Sequence, residues 1–309
     1  MANQIIPFRV RPMLATLVNK PFDRAGWVYE EKYDGYRILA YKQGKNVTLF
    51  SRNNKEKTQA FPSVASAVAK LKANTVLLDG EVVAFDRRKV SRFQLVQQGR
   101  STRFAVFDCL YLNGIDLRRK PLADRREVLE RIVAGNGELF VSRRLADNGL
   151  EAFRLAQQRG FEGIVAKDAA SPYVEQRSKS WLKVKVHQEE ELVIGGFTSP
   201  AGSRLHLGAL LLGAYDSAGK LRFVGKVGTG FTHSTLYSLS KLLVPLVQPK
   251  APFIDPPRGR GITFVAPKLV AQIAFQEWTA DARLRQPVYL GLRDDKKPRE
   301  CLLPREFES

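Results

Sequence analysis

Between residues 27 and 86, aromatic and β-branched residues come in short runs separated by Gly, Asn and Lys clusters, a pattern that predicts strands. The runs are Trp27–Glu31, Tyr36–Tyr41, Val47–Ser51 and Val76–Phe85. The intervening segment 61–72, FPSVASAVAKLK, instead carries apolar residues at helical spacing and predicts a helix. Two more helices are expected at Ala123–Val133 and Gly149–Gln158, each followed by glycine. Strands are expected to resume at 104–112, 163–166 and 181–186.

The rhythm changes after His187-Gln188-Glu189-Glu190-Glu191. Short apolar runs at 192–197, 209–215 and 221–228 alternate with Gly/Ser/Asp turns, followed by an expected helix at 232–246 and a strand at 267–279. The Pro- and Gly-rich stretch 250–261 reads as a loop. The expected fold class is therefore α+β: antiparallel sheets with flanking helices over residues 1–187, then a small closed β-barrel of the OB type over 188–309. No internal repeat or low-complexity tract is evident.

Composition narrows the function. Fifty Lys+Arg against 31 Asp+Glu give a formal charge of +19 in 309 residues, which suggests a polyanionic partner, nucleic acid before others. A well-solvated basic surface is the plainer alternative. No apolar run reaches the roughly 18 residues of a membrane span, and no secretory signal or basic amphipathic helix stands out. Two cysteines, Cys109 and Cys301, are too few for a Cys₄ zinc site or a disulfide framework, and a reducing compartment is expected. His187, His206 and His233 have no metal-ligand spacing.

The segment Glu31–Arg37, EKYDGYR, contains Lys32, Asp34 and Gly35 in a K-x-D-G arrangement, with Arg37 two residues on. A lysine there can attack a nucleotide α-phosphorus to give a lysyl–NMP phosphoramidate. An unperturbed lysine is neutral in roughly one molecule in 10³–10⁴ at pH 7, so the role needs nearby positive charge or a metal. Arg37 and Arg52 are available. Alone the motif also fits a surface lysine before an Asp-Gly turn.

Further segments follow in order. SRNN holds Arg52 at a strand end, and LDGEVVAFD holds Glu81 after a turn-like Asp79-Gly80. FAVFDCLYLNG contributes Phe107 and Asp108, and EGIVAKD contributes Glu162, Val165 and Lys167. SWLKVK places Lys183 and Lys185 on one face of a strand, and RQPVYLGLRDDKKP ends with Arg293, Asp295 and Lys296. Taken singly, Phe107, Val165 and Trp181 read as packing, Glu81 and Glu162 as turn or edge carboxylates, and the lysine pair as a solvated face. GKVGTG at 225–230 does not match a P-loop.

The ordered set, from about Arg11 to Arg299, resembles the nucleotidyltransferase superfamily of polynucleotide ligases and messenger-RNA capping enzymes. More narrowly it looks like an ATP-dependent DNA ligase, and residues 195–231 look most like the ligase domain of bacterial end-joining enzymes of the ligase D type. The resemblance implies that Lys32 becomes adenylated by ATP. It implies that Glu30 reads the adenine amino edge, Phe107 stacks on the base and Val165 lines its other face. Glu81 would hold the ribose, and Glu81 and Glu162 would serve Mg²⁺ or Mn²⁺. Arg52, Lys167, Lys183 and Lys185 would hold nucleotide phosphates, with Arg37 and Arg52 reaching the 5′-phosphate of a nick and Asp34 positioning the 3′-hydroxyl. Arg293, with Asp295 and Lys296, would act from the barrel on departing pyrophosphate and then swing away.

The implied partner is double-stranded DNA with nicks or ends, with a Ku-like end-binding protein as a candidate recruiter. The implied state is a monomer in the cytoplasm of a bacterium, associated with the nucleoid and with no membrane contact. Room for the large helical DNA-binding domain of eukaryotic ligases is not expected, nor are the polymerase and phosphoesterase modules usual in ligase D proteins, so DNA grip is expected to rest on the two domains and their charge. A capping guanylyltransferase, an RNA ligase and a non-catalytic nucleic-acid-binding module are the rival readings. The first two share the lysine chemistry; the last would not need Lys32, Glu81, Glu162 and Lys183 together.

Overall fold

The computed structural model describes residues 5–133, 137–186, 188–200, 206–304 and 307. His187 and the 201–205 part of the 195–231 run lie outside them. The chain divides into two compact units, Met1–Val186 and His187–Ser309.

The first unit contains β1 (Leu14–Leu17), β2 (Trp27–Glu31), β3 (Tyr36–Gln43), β4 (Asn46–Ser51), α1 (Pro62–Ala69), β5 (Thr75–Val83), α2 (Phe93–Gln97) and β6 (Arg103–Leu112). It continues with β7 (Ile115–Asp116), α3 (Leu122–Val133), β8 (Leu139–Val141), β9 (Arg144–Ala146), α4 (Gly149–Arg159), β10 (Gly163–Asp168) and β11 (Arg177–Lys185). One sheet runs β1-β11-β10-β2-β9 and the other β4-β3-β5-β6-β7, with β8 joining β6. All pairings are antiparallel except β1 with β11 and β6 with β8.

Period-two alternation explains how the second sheet serves two cores. On β3, Tyr36, Ile38 and Ala40 pack with α1 residues Val64, Ala67 and Val68 and with Leu129 of α3. Leu39 and Tyr41 point the other way, into a cluster with Phe107, Tyr173 and Trp181. β5 repeats the division: Val76 and Leu78 join the first cluster and Leu77 the second. The polar residues of that second face, Arg37, Asp79 and Glu81, therefore lie on the same side of their sheet as Phe107. Asp79-Gly80 does not form the expected turn; both residues lie within β5. Gly80 is needed because an added Cβ would stand 2.6 Å from the Phe104 ring and from the Ala105 carbonyl.

The short strands β1, β7, β8 and β9 and the five-residue α2 have too few residues for their periodicity to be read. α4 has clear punctuation: the Asn148 side chain caps the Leu150 and Glu151 amides, and Gly160 closes the helix with φ 71°.

In the second unit, β12 (Glu189–Thr198), β13 (Leu210–Tyr215), β14 (Leu221–Val227), α5 (His233–Leu243), β15 (Ile262–Ala274), β16 (Glu277–Trp278), β17 (Leu284–Arg285) and β18 (Val288–Leu292) follow. The sheet order is β14-β13-β12-β15-β18. The unit is OB-like, but among the described residues no pairing joins β14 to β18, so the expected closed barrel is an open sheet. β15 begins five residues before the expected strand because Pro267, which reads as a boundary, sits instead where the β12–β15 register shifts. The expected strand end at 275–279 is a separate hairpin of β16 with β17. The helix expected to reach 246 ends at Leu243 and gives way to a 3₁₀ turn at Val244–Leu246 that contains Pro245.

Candidate active site

Lys32 follows the last residue of β2, and its amide donates to the Gly163 carbonyl at 3.0 Å. That bond sets the lysine beside the start of β10, where its ammonium contacts the Glu162 carboxylate. The two side chains are 18% and 10% exposed, so the pair is sheltered yet reachable.

Gly35 explains the glycine of the K-x-D-G motif. A Cβ there would lie 2.2 Å from the Val82 carbonyl oxygen and 3.1 Å from Glu81 Cγ. The motif loop is pressed onto β5 next to Glu81, and only hydrogen fits. Asp34 is buried; its carboxylate accepts the Phe93 amide at 3.0 Å and its own amide donates to Ser91 Oγ at 3.0 Å. It ties the motif loop to the segment entering α2.

Glu30, two residues before Lys32, is 1% exposed. Its Oε2 accepts from Lys167 Nζ at 2.7 Å and Ser142 Oγ at 2.6 Å, and its Oε1 contacts the Arg126 guanidinium. Burial lowers the pKa of Lys167, and the Glu30 carboxylate opposes that shift. Lys167 Nζ also stands 4.5 Å from the Phe107 ring centroid and 4.4 Å from that of Trp181. Arg37 approaches Phe107 at 4.4 Å while gripping Asp79 in a bidentate pair at 2.6 and 2.7 Å. Phe107 is thus an aromatic centre with a cation from each sheet near it.

Val165 lies opposite Glu30 on one side and Lys183 on the other, and Lys185 lies opposite Gly163. Lys167, Val165 and Gly163 therefore share a face with Trp181, Lys183 and Lys185. The Trp181 indole is 2% exposed, and its Nε1 has no hydrogen-bond partner among the described residues. Arg52 occupies the turn after β4.

Arg293, Asp295 and Lys296 belong to the second unit. Arg293 forms a bidentate pair with Asp295 at 2.8 and 2.9 Å and donates to Gln272 at 3.1 Å. Lys296 meets Glu191 at 3.1 Å.

Among the described residues no three His, Cys, Asp or Glu side chains cluster as a ready-made metal cage. Mg²⁺ commonly binds through one or two carboxylates, water and substrate phosphates; of the two carboxylates expected to serve it, Glu162 contacts Lys32 and Glu81 lies beside Gly35.

Sequence reasoning missed Arg126, Ser142, Asp79 and Arg125. Arg126 and Ser142 hold Glu30, and Asp79 holds Arg37. Arg125 forms a fully buried bidentate pair with Asp108 at 2.7 and 2.8 Å. The R-R pair at 125–126 in an amphipathic helix was the available signal, since inward-facing arginines need acidic partners.

Residues 12–185 match the family model described as ATP dependent DNA ligase domain, and 203–296 match ATP dependent DNA ligase C terminal region. The multifunctional non-homologous end joining protein LigD of Mycolicibacterium smegmatis is 42% identical over 94% of this chain and 39% of its own length. That of Pseudomonas aeruginosa is 36% identical over 96% of this chain and 36% of its own. The chain thus spans well under half of these relatives. A solved mycobacterial DNA ligase D complexed with ATP and MES matches with a TM-score of 0.74 at 35% identity, covering 97% of this chain and all of that one.

Proposed function

Because the chain belongs to the ATP-dependent DNA ligase family, we propose that it seals breaks in duplex DNA, with Lys32 as the residue that carries AMP. The observation that carries this reading is the sheltered Lys32–Glu162 contact at the start of β10, the strand that carries Lys167 and pairs with the Lys183/Lys185 face of β11. The LigD relatives are named for non-homologous end joining, and the same repair role, in a bacterial nucleoid and with an end-binding partner, is proposed here.

In the first step Lys32 Nζ bonds to the ATP α-phosphorus as the bond to the β-phosphate oxygen breaks, releasing pyrophosphate. Starting from the ammonium, Lys32 must shed two protons, one before it attacks and one from the nitrogen once it is bonded to phosphorus; Glu162 Oε1, in contact with it, accepts the first and water the second. A 5′-phosphate oxygen then attacks the adenylate phosphorus, the N–P bond breaks and the lysine regains both protons, one from Glu162 and one from water. Finally the 3′-hydroxyl attacks the 5′-phosphate and AMP leaves. Positioning and charge neutralisation supply most of the catalysis.

We assign Lys183 and Lys185 to the nucleotide phosphates and Phe107 to the base. Arg37 is held rigidly by Asp79 rather than left to search. A divalent cation at Glu162 and Glu81 would neutralise phosphate oxygens. Arg293, Asp295 and Lys296 of the OB-like unit are assigned to the pyrophosphate.

The test is incubation with α-labelled ATP, GTP or NAD and Mg²⁺ after stripping with pyrophosphate, followed by denaturing electrophoresis. Covalent label from ATP alone, lost in Lys32→Ala, is expected. Label from GTP would favour the capping reading, and no label would overturn the proposal.

A further inference from the structure

A second basic feature lies away from the Lys183/Lys185 face. A cavity of about 590 Å³ in the first unit is lined by Arg88, Lys89, Arg92, Arg143 and Arg159, and none of the described residues lining it is acidic. Arg88, Lys89 and Arg159 are exposed. Two other cavities of similar size differ in charge: one includes Asp116 and Glu175, the other Asp23, Glu127, Glu130 and Asp147. Arg92 is shared with Asp86 at 3.3 Å and Arg143 lies 3.5 Å from Glu31, so the groove keeps an excess of positive charge.

Its walls are tied to the nucleophile loop. Arg92 sits between Ser91 and Phe93, both hydrogen-bonded to Asp34. The Arg143 amide donates to the Tyr33 hydroxyl, and the Arg143 carbonyl accepts the Glu31 amide. Phe161, which lines the groove, precedes Glu162, the partner of Lys32. These walls therefore stand a residue or a hydrogen bond away from the Glu31–Asp34 segment or its Glu162 partner. The groove is thus lined by segments that hold the loop carrying Lys32.

We infer that this groove binds backbone phosphates of duplex DNA beside the break, gripping one strand while the break lies at Lys32. The inference rests on the ligase reading and extends its substrate-binding surface. Arginine-rich walls without acidic residues suit phosphate, and several exposed cations along one path suit a repeating backbone rather than a single anion. The last-turn carbonyls of α4 also face this region, but Gly160 and Phe161 amides cap them.

The test uses the full chain and a triple variant, Arg88→Ala/Lys89→Ala/Arg159→Ala. Self-adenylation by labelled ATP needs no DNA and should match the wild type, which also shows that the variant folds. Binding to a nicked duplex should weaken at least about tenfold at low salt, and the slope of log K against log salt should become shallower by about 0.9 for each phosphate the variant no longer neutralises. Neutral methylphosphonate linkages are then placed on one side of the nick or the other. On one side they should weaken wild-type binding and leave the variant nearly unaffected.

Wild-type affinity and slope in the variant, or equal loss from methylphosphonates in both proteins on both sides, would overturn the inference. Failure of wild-type protein to label with ATP would instead overturn the ligase reading.

Discussion

Glu31 sits between Glu30 and Lys32, and its environment makes a quantitative prediction. The residue is 3% exposed, neither carboxylate oxygen has a hydrogen-bond donor at good geometry among the described residues, and Arg143 stands 3.5 Å away as its cation. Burial pushes its pKa from 4.5 up to about 7, against the pull of Arg143, Tyr33 and Arg159. The folded state therefore binds this proton more tightly than the unfolded chain. Below pH 4.5 both states hold it and no penalty arises. Between 4.5 and 7 stability falls as pH rises, and above 7 the whole penalty is present, about 3 kcal/mol at ~1.4 kcal/mol per pH unit. Glu31→Gln removes the ionisation while keeping the shape. In urea unfolding at pH 5, 6, 7 and 8, the variant should exceed wild type by only about 1 kcal/mol at pH 5 and by up to about 3 kcal/mol at pH 8. A variant less stable than wild type at pH 8, or a difference independent of pH, would refute the reasoning.

Gly35→Ala forces a methyl against the Val82 carbonyl; a loss of about 1–3 kcal/mol in thermal unfolding is expected, with slower self-adenylation because the Lys32 loop must shift. Arg125→Met leaves the Asp108 carboxylate buried without its partner and should cost about 3–5 kcal/mol, most of it regained in Arg125→Met/Asp108→Leu, measured by denaturant titration. Arg293→Ala should slow self-adenylation by about tenfold or more while sealing of pre-adenylated nicks falls far less. Equal loss in both assays would assign the Arg293–Asp295 pair to packing of its own unit.

The order of the chemical segments was legible because each is local. K-x-D-G and the Lys183/Lys185 alternation depend on neighbours within a few residues, and β2, β3, β4, β5 and β6 announced themselves through their dense apolar runs. Strands of two to four residues did not, since they are too short to show a sustained alternation. Pro267 and Asp79-Gly80 misled for a common reason. Both are punctuation in a free peptide, yet a register shift accommodates the first, and a close ring and a partly buried arginine require the second.

The sequence by itself determined the family the chain belongs to and the order of its candidate lysines, carboxylates and arginines, because these are properties of side chains in a recognisable order. Only the tertiary structure decided who holds whom. Glu30 is bound by Arg126 and Ser142, 96 and 112 residues away, and Arg37 by Asp79, 42 away. Such partners are chosen by strand pairing, as between β3 and β5, by the packing of α3 against β2, and by the cost of leaving a buried charge without a counter-charge. No local pattern records that choice. The basic groove beside the nucleophile loop arises in the same way: its arginines and lysine come from three separate segments, 88–92, Arg143 and Arg159, and become one surface only when β2 and its neighbours draw them together.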